Sequence, residues 1–425
     1  MTAASPPAAT HPGRTEFLRA RGTLASILTE NIIPFWYPGA LDRANGGYRL
    51  NHDGEGAWRG DAEKFLVTQA RTLWFFSRLA GTEYGGGRYL EAARHGYEFL
   101  RDRMWDPRCG GFYWATDPSG RRATKPDKHL YGQAFGIYAL TEYARASREA
   151  EALSLTAQLV RLLEAHAYDR RFGGYREFLL RDWRPAPATL CGYLGVGPAL
   201  KLANTHLHLM EAMTSYHRLT GDGTMRDRLV ELILINASAV VRKEAGACTQ
   251  YHQRDWAPAP GRPAPLVSYG HDLKSVWLLA EAASAAGLSG GLLLDLARAL
   301  FASALRYGFD AKRGAFCEAG PLGAPADRRD KVWWVQAEAL LSALYLYGVT
   351  SEAAYFTWFS RILAWIVNSQ VDWKHGEWHA RVGESGKPSG DKADAWKCPY
   401  HNGRAMIQCL ELLPAIAGRS EASGP

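Results

Sequence analysis

The residues of this chain best suited to chemistry fall in short runs. They read K-H-L-Y-G-Q at 128–133, N-T-H-L-H at 204–208, G-H-D-L-K at 270–274, K-V-W-W-V-Q-A-E at 331–338 and P-Y-H-N-G-R at 399–404. R-G-D-A-E-K at 59–64, followed by Arg71, opens the series. His208, His271 and His401 occupy equivalent ends of three runs, a pattern expected of one shared site rather than of separate core histidines. His271 and Lys274 are three residues apart, so on a helix they share a face and repel when both are charged. Metal ligation is disfavoured: His206 and His208, two apart, point about 200° away from one another on a helix, and no H-E-x-x-H motif is present. G-G-G-R at 85–88 matches neither phosphate-binding glycine motif. Glycosidic cleavage needs two opposed carboxylates. Asp127, Asp272, Glu338 and Asp394 lie near the run starts, with no evident pair among them. Asn204 and Asp272 could equally serve as helix caps.

These runs need a scaffold that brings them together, and the chain carries one in a repeated turn. It reads D-R-A-N-G-G-Y at 42–48, D-P-R-C-G-G-F at 106–112 and D-R-R-F-G-G-Y at 169–175. Weaker copies follow at 242–248, 310–316 and 372–378. Glycine permits the positive φ that closes a helix, and the following aromatic can begin an extended segment. Amphipathic segments precede the turns, at 15–34, 88–104, 151–167, 225–243, 291–307 and 354–370. A second set, apolar nearly all round, follows at 63–80, 128–146, 203–219, 271–287, 332–348 and 402–417. Twelve helices in six repeats predict an all-α chain whose pairs close into a ring, the second set lying inside. The polar runs sit at one end of the inner helices, where closure would gather them into one aromatic-lined pocket.

Composition narrows the function classes. The formal charge is +7, but no run of five basic residues and no basic stripe supports nucleic-acid binding. Fifteen Trp, twenty Tyr and fifteen Phe suit either a large core or a cleft for ring-shaped ligands. No segment has about 18 uninterrupted apolar residues, so no membrane span is expected. Six scattered cysteines without a C-x-x-C pair, and no secretory leader, fit a reduced cytoplasmic protein. Residues 1–14 and 419–425 read as tails flanking one domain at 15–418.

The runs K-H-L-Y-G-Q-A-F, N-T-H-L-H-L-M-E-A, G-H-D-L-K-S-V-W-L-L, K-V-W-W-V-Q-A-E-A and W-K-C-P-Y-H-N-G-R resemble the N-acyl-D-glucosamine 2-epimerase superfamily, nearest its cellobiose 2-epimerase and mannose 2-epimerase branch. The resemblance covers about residues 20–415. It implies an (α/α)6 barrel that epimerises reducing sugars at C2, or isomerises aldose to ketose, without metal or redox cofactor. It also implies a small sugar as the partner, and a monomer or homodimer. Removing the C2 proton of an open-chain aldose gives an enediolate, and histidine can take and return protons near neutral pH. By motif, His271 and His401 would be the acid/base pair, with His208 assisting ring opening or proton relay. Arg71 would lie near the reactive oxygens, Asn204 and Tyr131 would contact substrate, and Trp333 or Trp334, with Trp396, would wall the sugar. Lys274 departs from the branch, which usually has glutamate there. A lysine would depress the pKa of His271 and suit a substrate bearing an anionic group. A glycosidase or lyase on this fold, and a non-catalytic sugar-binding barrel, are the alternatives.

Overall fold

The computed structural model describes residues 11–259 and 266–422. Twelve helices longer than two turns alternate along these residues: α1 Arg14–Ser26, α2 Leu66–Ala80, α3 Gly87–Phe99, α4 Leu130–Ser147, α5 Ala150–Leu162, α6 Ala203–Thr220, α7 Gly223–Leu234, α8 Tyr269–Ala285, α9 Leu294–Gly308, α10 Trp333–Thr350, α11 Ala353–Trp365 and α12 Tyr400–Ala422. The even-numbered helices contact one another in sequence, and α12 returns to α2, closing an inner ring. The odd-numbered helices form the outer layer of an (α/α)6 barrel. Burial follows these places. Leu130 to Ala144 of α4 are buried without interruption, whereas α3 buries one face through Tyr89, Ala92, Ala93, Gly96, Tyr97 and Phe99. Among the described residues, no helix is long and apolar enough to cross a membrane.

Five outer segments end in one wide turn, at Ile27–Ile32, Leu100–Met104, Leu163–Ala167, Ile235–Ala239 and Ile366–Gln370. There the backbone bond spans five residues, as from Trp105 N–H to the Leu100 carbonyl. The repeated turn follows. Its aspartate accepts from nearby backbone N–H groups, as Asp106 does from Arg108 and Cys109, and also receives a buried lysine. The pairs are Lys64–Asp42 at 2.7 Å, Lys128–Asp106 at 3.1 Å, Lys201–Asp169 at 3.2 Å, Lys331–Asp310 at 2.9 Å and Lys392–Asp372 at 2.9 Å. Four of these lysines stand two residues before the start of an inner helix. Lys64, Lys128 and Lys331, which the sequence places at the pocket end, are therefore turned back to the scaffold.

A second clamp lies five residues further on. The Gln133 amide donates to the Phe112 carbonyl and accepts from the Phe112 N–H; Gln69 and Gln336 do the same at Tyr48 and Phe316. His206 fills this place in the third repeat, where its Nε2 accepts from Tyr175 N–H at 3.0 Å. It is thus a scaffold residue, pointing away from His208. The fourth repeat has Arg242 and Val267 in place of the aspartate and lysine, and Asp272 in place of the glutamine. Losing both ions together avoids stranding either one.

Short strands ahead of the inner helices pair with the following repeat, as Lys128↔Leu179 and Lys331↔Val382 do. Leu266–Ser268 pairs with Ala319–Pro321 in the same way and leads straight into α8 at Tyr269. Both α8 and α12, which begins at Tyr400, start two residues before the periodicity places them. Along the expected tail at 419–425, α12 runs on to Ala422; 423–425 lie outside the described residues, as do residues 1–10 of the expected N-terminal tail.

Candidate active site

The inner helices bring their N-terminal ends to one end of the barrel axis, where unpaired N–H groups and helix dipoles favour negative charge. His208 lies on α6, His271 on α8 and His401 on α12. One chain of ring contacts joins the three. The Trp334 centroid is 4.9 Å from His271 and 5.5 Å from His401. Tyr400 is 4.7 Å from His401 and 6.3 Å from His208. Gly270 permits the Trp334 contact, since a Cβ there would meet the indole at 2.2 Å. Tyr131 and Phe135 pack on His208 at 5.1 and 4.6 Å.

Beneath the histidines lies a buried charged layer. His208 Nδ1 is 3.0 Å from Glu211 Oε2, and His401 Nδ1 is 2.6 Å from Glu338 Oε1. Arg404 donates to both carboxylates, and its guanidinium lies over Trp277 and Tyr400. Tyr400 Oη donates to Glu211 at 2.6 Å. Burial alone would raise the Glu211 carboxyl, but the charges of Lys274 and Arg404 hold it well below the usual range. All three imidazoles are pushed toward neutrality. His271 falls to about 3, through burial first and the Lys274 charge second. His208 is lowered by burial and Lys274, and His401 by burial and then Arg71. A neutral imidazole whose Nδ1 hydrogen rests on a carboxylate presents a lone pair at Nε2, as a base requires.

Arg71 reaches the same region from α2, donating to Tyr131 Oη at 2.9 Å and lying 4.2 Å over Phe135. No carboxylate pairs with this buried guanidinium among the described residues. Asn204 makes no capping bond; it lies beside the Tyr131 hydroxyl, and its Oδ1 has no hydrogen-bond partner. The Nδ1 of His271 is likewise unpartnered. Of the adjacent tryptophans, Trp334 lies between two histidines, while Trp333 stands further out, 6.5 Å from His401. Trp396 is 43% exposed at the mouth, against Trp114 and Tyr131.

Lys274 requires a correction. Expected to face a substrate, it is fully buried, with Nζ held by Glu211 at 3.0 Å, His208 Nδ1 at 3.1 Å and Tyr400 Oη at 3.1 Å. Its helix turns it toward α6, where the Glu211 carboxylate takes the place of the anionic group it was expected to hold. The four carboxylates considered for glycosidic cleavage are also committed. Asp127 accepts from Arg181 N–H, Asp272 from Cys248 N–H and Asp394 from Trp396 N–H, while Glu338 lies under His401 and Arg404. Glu211, Tyr400 and Arg404 were missed as functional residues. A signal for two of them was present: Glu211 and Arg404 each follow a site histidine by three residues, as Lys274 does. Among the described residues, no three His, Cys, Asp or Glu side chains are grouped as a metal-ligand set.

The family model described as N-acylglucosamine 2-epimerase matches residues 46–405. A cellobiose 2-epimerase of Bacteroides fragilis is 32% identical over 393 residues, covering 91% of this chain and 96% of that protein. A D-mannose isomerase of Marinomonas mediterranea is 26% identical over 405 residues, covering 91% and 95%. The structure of cellobiose 2-epimerase from Spirochaeta thermophila superposes with a TM-score of 0.85 at 33% identity, covering 95% of this chain and 98% of that one. With its helix ring and histidine cluster, the chain belongs to the N-acylglucosamine 2-epimerase family and is a carbohydrate epimerase or isomerase.

Proposed function

We propose that residues 15–418 act as one catalytic domain on a reducing mono- or disaccharide, such as cellobiose or mannose, by histidine-mediated proton transfer through an enediolate. The observation that carries this reading is His401, a buried neutral imidazole oriented by Glu338 and joined through Trp334 to a second neutral imidazole, His271. His401 takes the C2 proton, and His271, as imidazolium, returns one. Return to the opposite face of C2 inverts that carbon; return to C1 gives the ketose. His208 assists ring opening. Arg71 and the inner-helix N-termini stabilise the negative oxygens of the enediolate. Arg71, rather than Lys274, is the cation left to meet an anionic substituent. Asn204 and Tyr131 contact hydroxyls, and Trp334, Trp333 and Trp396 wall the sugar. The unpaired cysteines support a cytoplasmic setting, with the chain a monomer or homodimer.

The test is incubation with neutral and acidic aldoses and disaccharides in deuterated water, followed by NMR. Deuterium at C2 together with a new epimer or ketose is expected. Cleavage without C2 exchange, or binding without conversion, would overturn the reading.

A further inference from the structure

The barrel axis has a second opening, at the end opposite the histidines. Tyr138, Ser215, Leu341 and Gln408 stand seven residues after Tyr131, His208, Trp334 and His401. Seven residues are two helical turns, so each lies on the same helix face and about 10 Å deeper. With Trp74 and Trp277 they line a cavity of about 500 Å³, to which all six inner helices contribute from their C-terminal halves. Glu211, Lys274, Glu338 and Arg404 follow the site residues by three or four positions and so separate the cavity from the histidines.

The lining selects a class of ligand. Trp74 and Tyr138 are buried and stacked, their rings 5.2 Å apart and 12° from parallel, and Trp277 completes an aromatic floor. Three arginines and three glutamates surround it. They pair with one another: Arg78 with Glu411 at 2.6 Å, Arg145 with Glu142, and Arg218 with Glu281 at 3.1 Å. A charged ligand would have to break one of these pairs. An apolar ligand would strand polar groups, because Gln408 Oε1 is buried without a partner and the hydroxyls of Tyr138 and Tyr345 make no hydrogen bond among the described residues. Burial pushes the Tyr345 hydroxyl up to about 12, so it stays a neutral donor. A neutral ring bearing hydroxyls satisfies all of these features. Its C–H face stacks on the aromatic floor, its hydroxyls meet the unpartnered groups, and its adjacent oxygens find donors and acceptors side by side in the Arg–Glu pairs.

We propose that this far-end cavity is a second binding site for a neutral pyranose, and that its occupant acts on catalysis through the Trp277 indole. Trp277 Nε1 donates to Glu338 Oε2 at 3.2 Å, and Glu338 Oε1 lies 2.6 Å from His401 Nδ1. Arg404, 4.7 Å over the Trp277 ring, donates to the same carboxylate. An occupant packed against the indole therefore presses on the group that orients the base. Binding rests on the cavity alone; the effect on catalysis rests on the sugar reading above.

The probe is 1,5-anhydroglucitol, a neutral pyranose without an anomeric hydroxyl, which cannot open and so cannot turn over. Hydrogen exchange followed by mass spectrometry should show protection at the C-terminal ends of the inner helices, in 138–147, 215–220 and 341–350, beside any at the histidine end. Ser215→Trp fills the cavity and should lose the far-end protection alone. Tyr345→Phe removes one hydroxyl at nearly constant volume and should weaken far-end binding roughly fivefold, so the test survives a folding defect in the larger variant. On an active sugar the probe should lower kcat about fivefold as well as raise the apparent KM. In Ser215→Trp it should leave kcat unchanged. Protection confined to the histidine end, far-end protection unaltered in both variants, or far-end protection by inorganic phosphate in place of the pyranose would overturn the site. An unchanged wild-type kcat at full far-end protection would overturn the link through Trp277. Far-end protection in a protein that converts no sugar would support the site and count against the catalytic reading.

Discussion

A methyl group on Gly270 would meet the Trp334 ring at 2.2 Å, and that ring packs against His271 and His401. Gly270→Ala must therefore move the indole or the start of α8. Overpacking of this kind costs about 1–3 kcal/mol. The expected outcome is a lower melting temperature and a loss of kcat/KM of tenfold or more, because reacting groups tolerate displacements of only about an ångström. Steady-state kinetics beside thermal unfolding checks it; an unchanged kcat/KM would remove Trp334 from the site. At this scale the gathering of His208, His271 and His401 was legible by type and spacing, while Arg71 entered through the family resemblance. The direction of Lys274 was not legible, because the carboxylate that captures it lies 63 residues away in sequence.

The repeat clamps belong to the scale of elements. Where Gln69, Gln133 and Gln336 join an inner helix to its turn with a neutral amide, the fourth repeat uses Asp272. Its Oδ2 has no hydrogen-bond partner, and burial pushes its carboxyl up to about 8. The unfolded group titrates near 4, so folding retains a proton throughout the interval between these values. The stability this contributes is fully present below about 4 and is lost as pH rises through about 8. Asp272→Asn supplies a permanently neutral clamp. Its melting temperature should fall less than the wild type's between pH 5 and pH 8 and lie above it at pH 8. Parallel curves would refute a protonated Asp272. The helices themselves were legible to within a few residues from apolar periodicity. The lysine–aspartate pairs were not, since polar residues at a helix start read equally well as a pocket rim.

At the scale of the whole molecule, the barrel must join its last repeat to its first. Glu377 makes that join: Oε2 accepts from Trp36 Nε1 at 2.6 Å, and Oε1 accepts from Lys397 at 2.8 Å and from Asn402 at 2.7 Å. The Asn31 amide adds a bond to the Asp372 carbonyl. Glu377 occupies a left-handed conformation, φ 59°, where three earlier repeats have Gly47, Gly111 and Gly174. The conformation costs about 1–2 kcal/mol for a residue with a Cβ. Glu377→Gly relieves that strain but strands buried Lys397, a loss of about 3–5 kcal/mol. Net destabilisation of about 1–4 kcal/mol is expected in urea unfolding. A more stable variant would show that the seam does not hold the ring together.

The sequence by itself determined the helix count, the sixfold repeat, the closed ring and the end of the barrel where the histidines gather. Those follow from periodicity and from the need to bury apolar faces, which are properties of neighbouring residues. Tertiary structure alone decided which polar groups serve the scaffold and which serve the site. It turned Lys128 and His206 back to their turns, set Glu338 behind His401 and sent Lys274 to Glu211. Hydrogen bonds and ion pairs depend on contacts between distant segments, and three ångströms of separation exists only once the ring has closed.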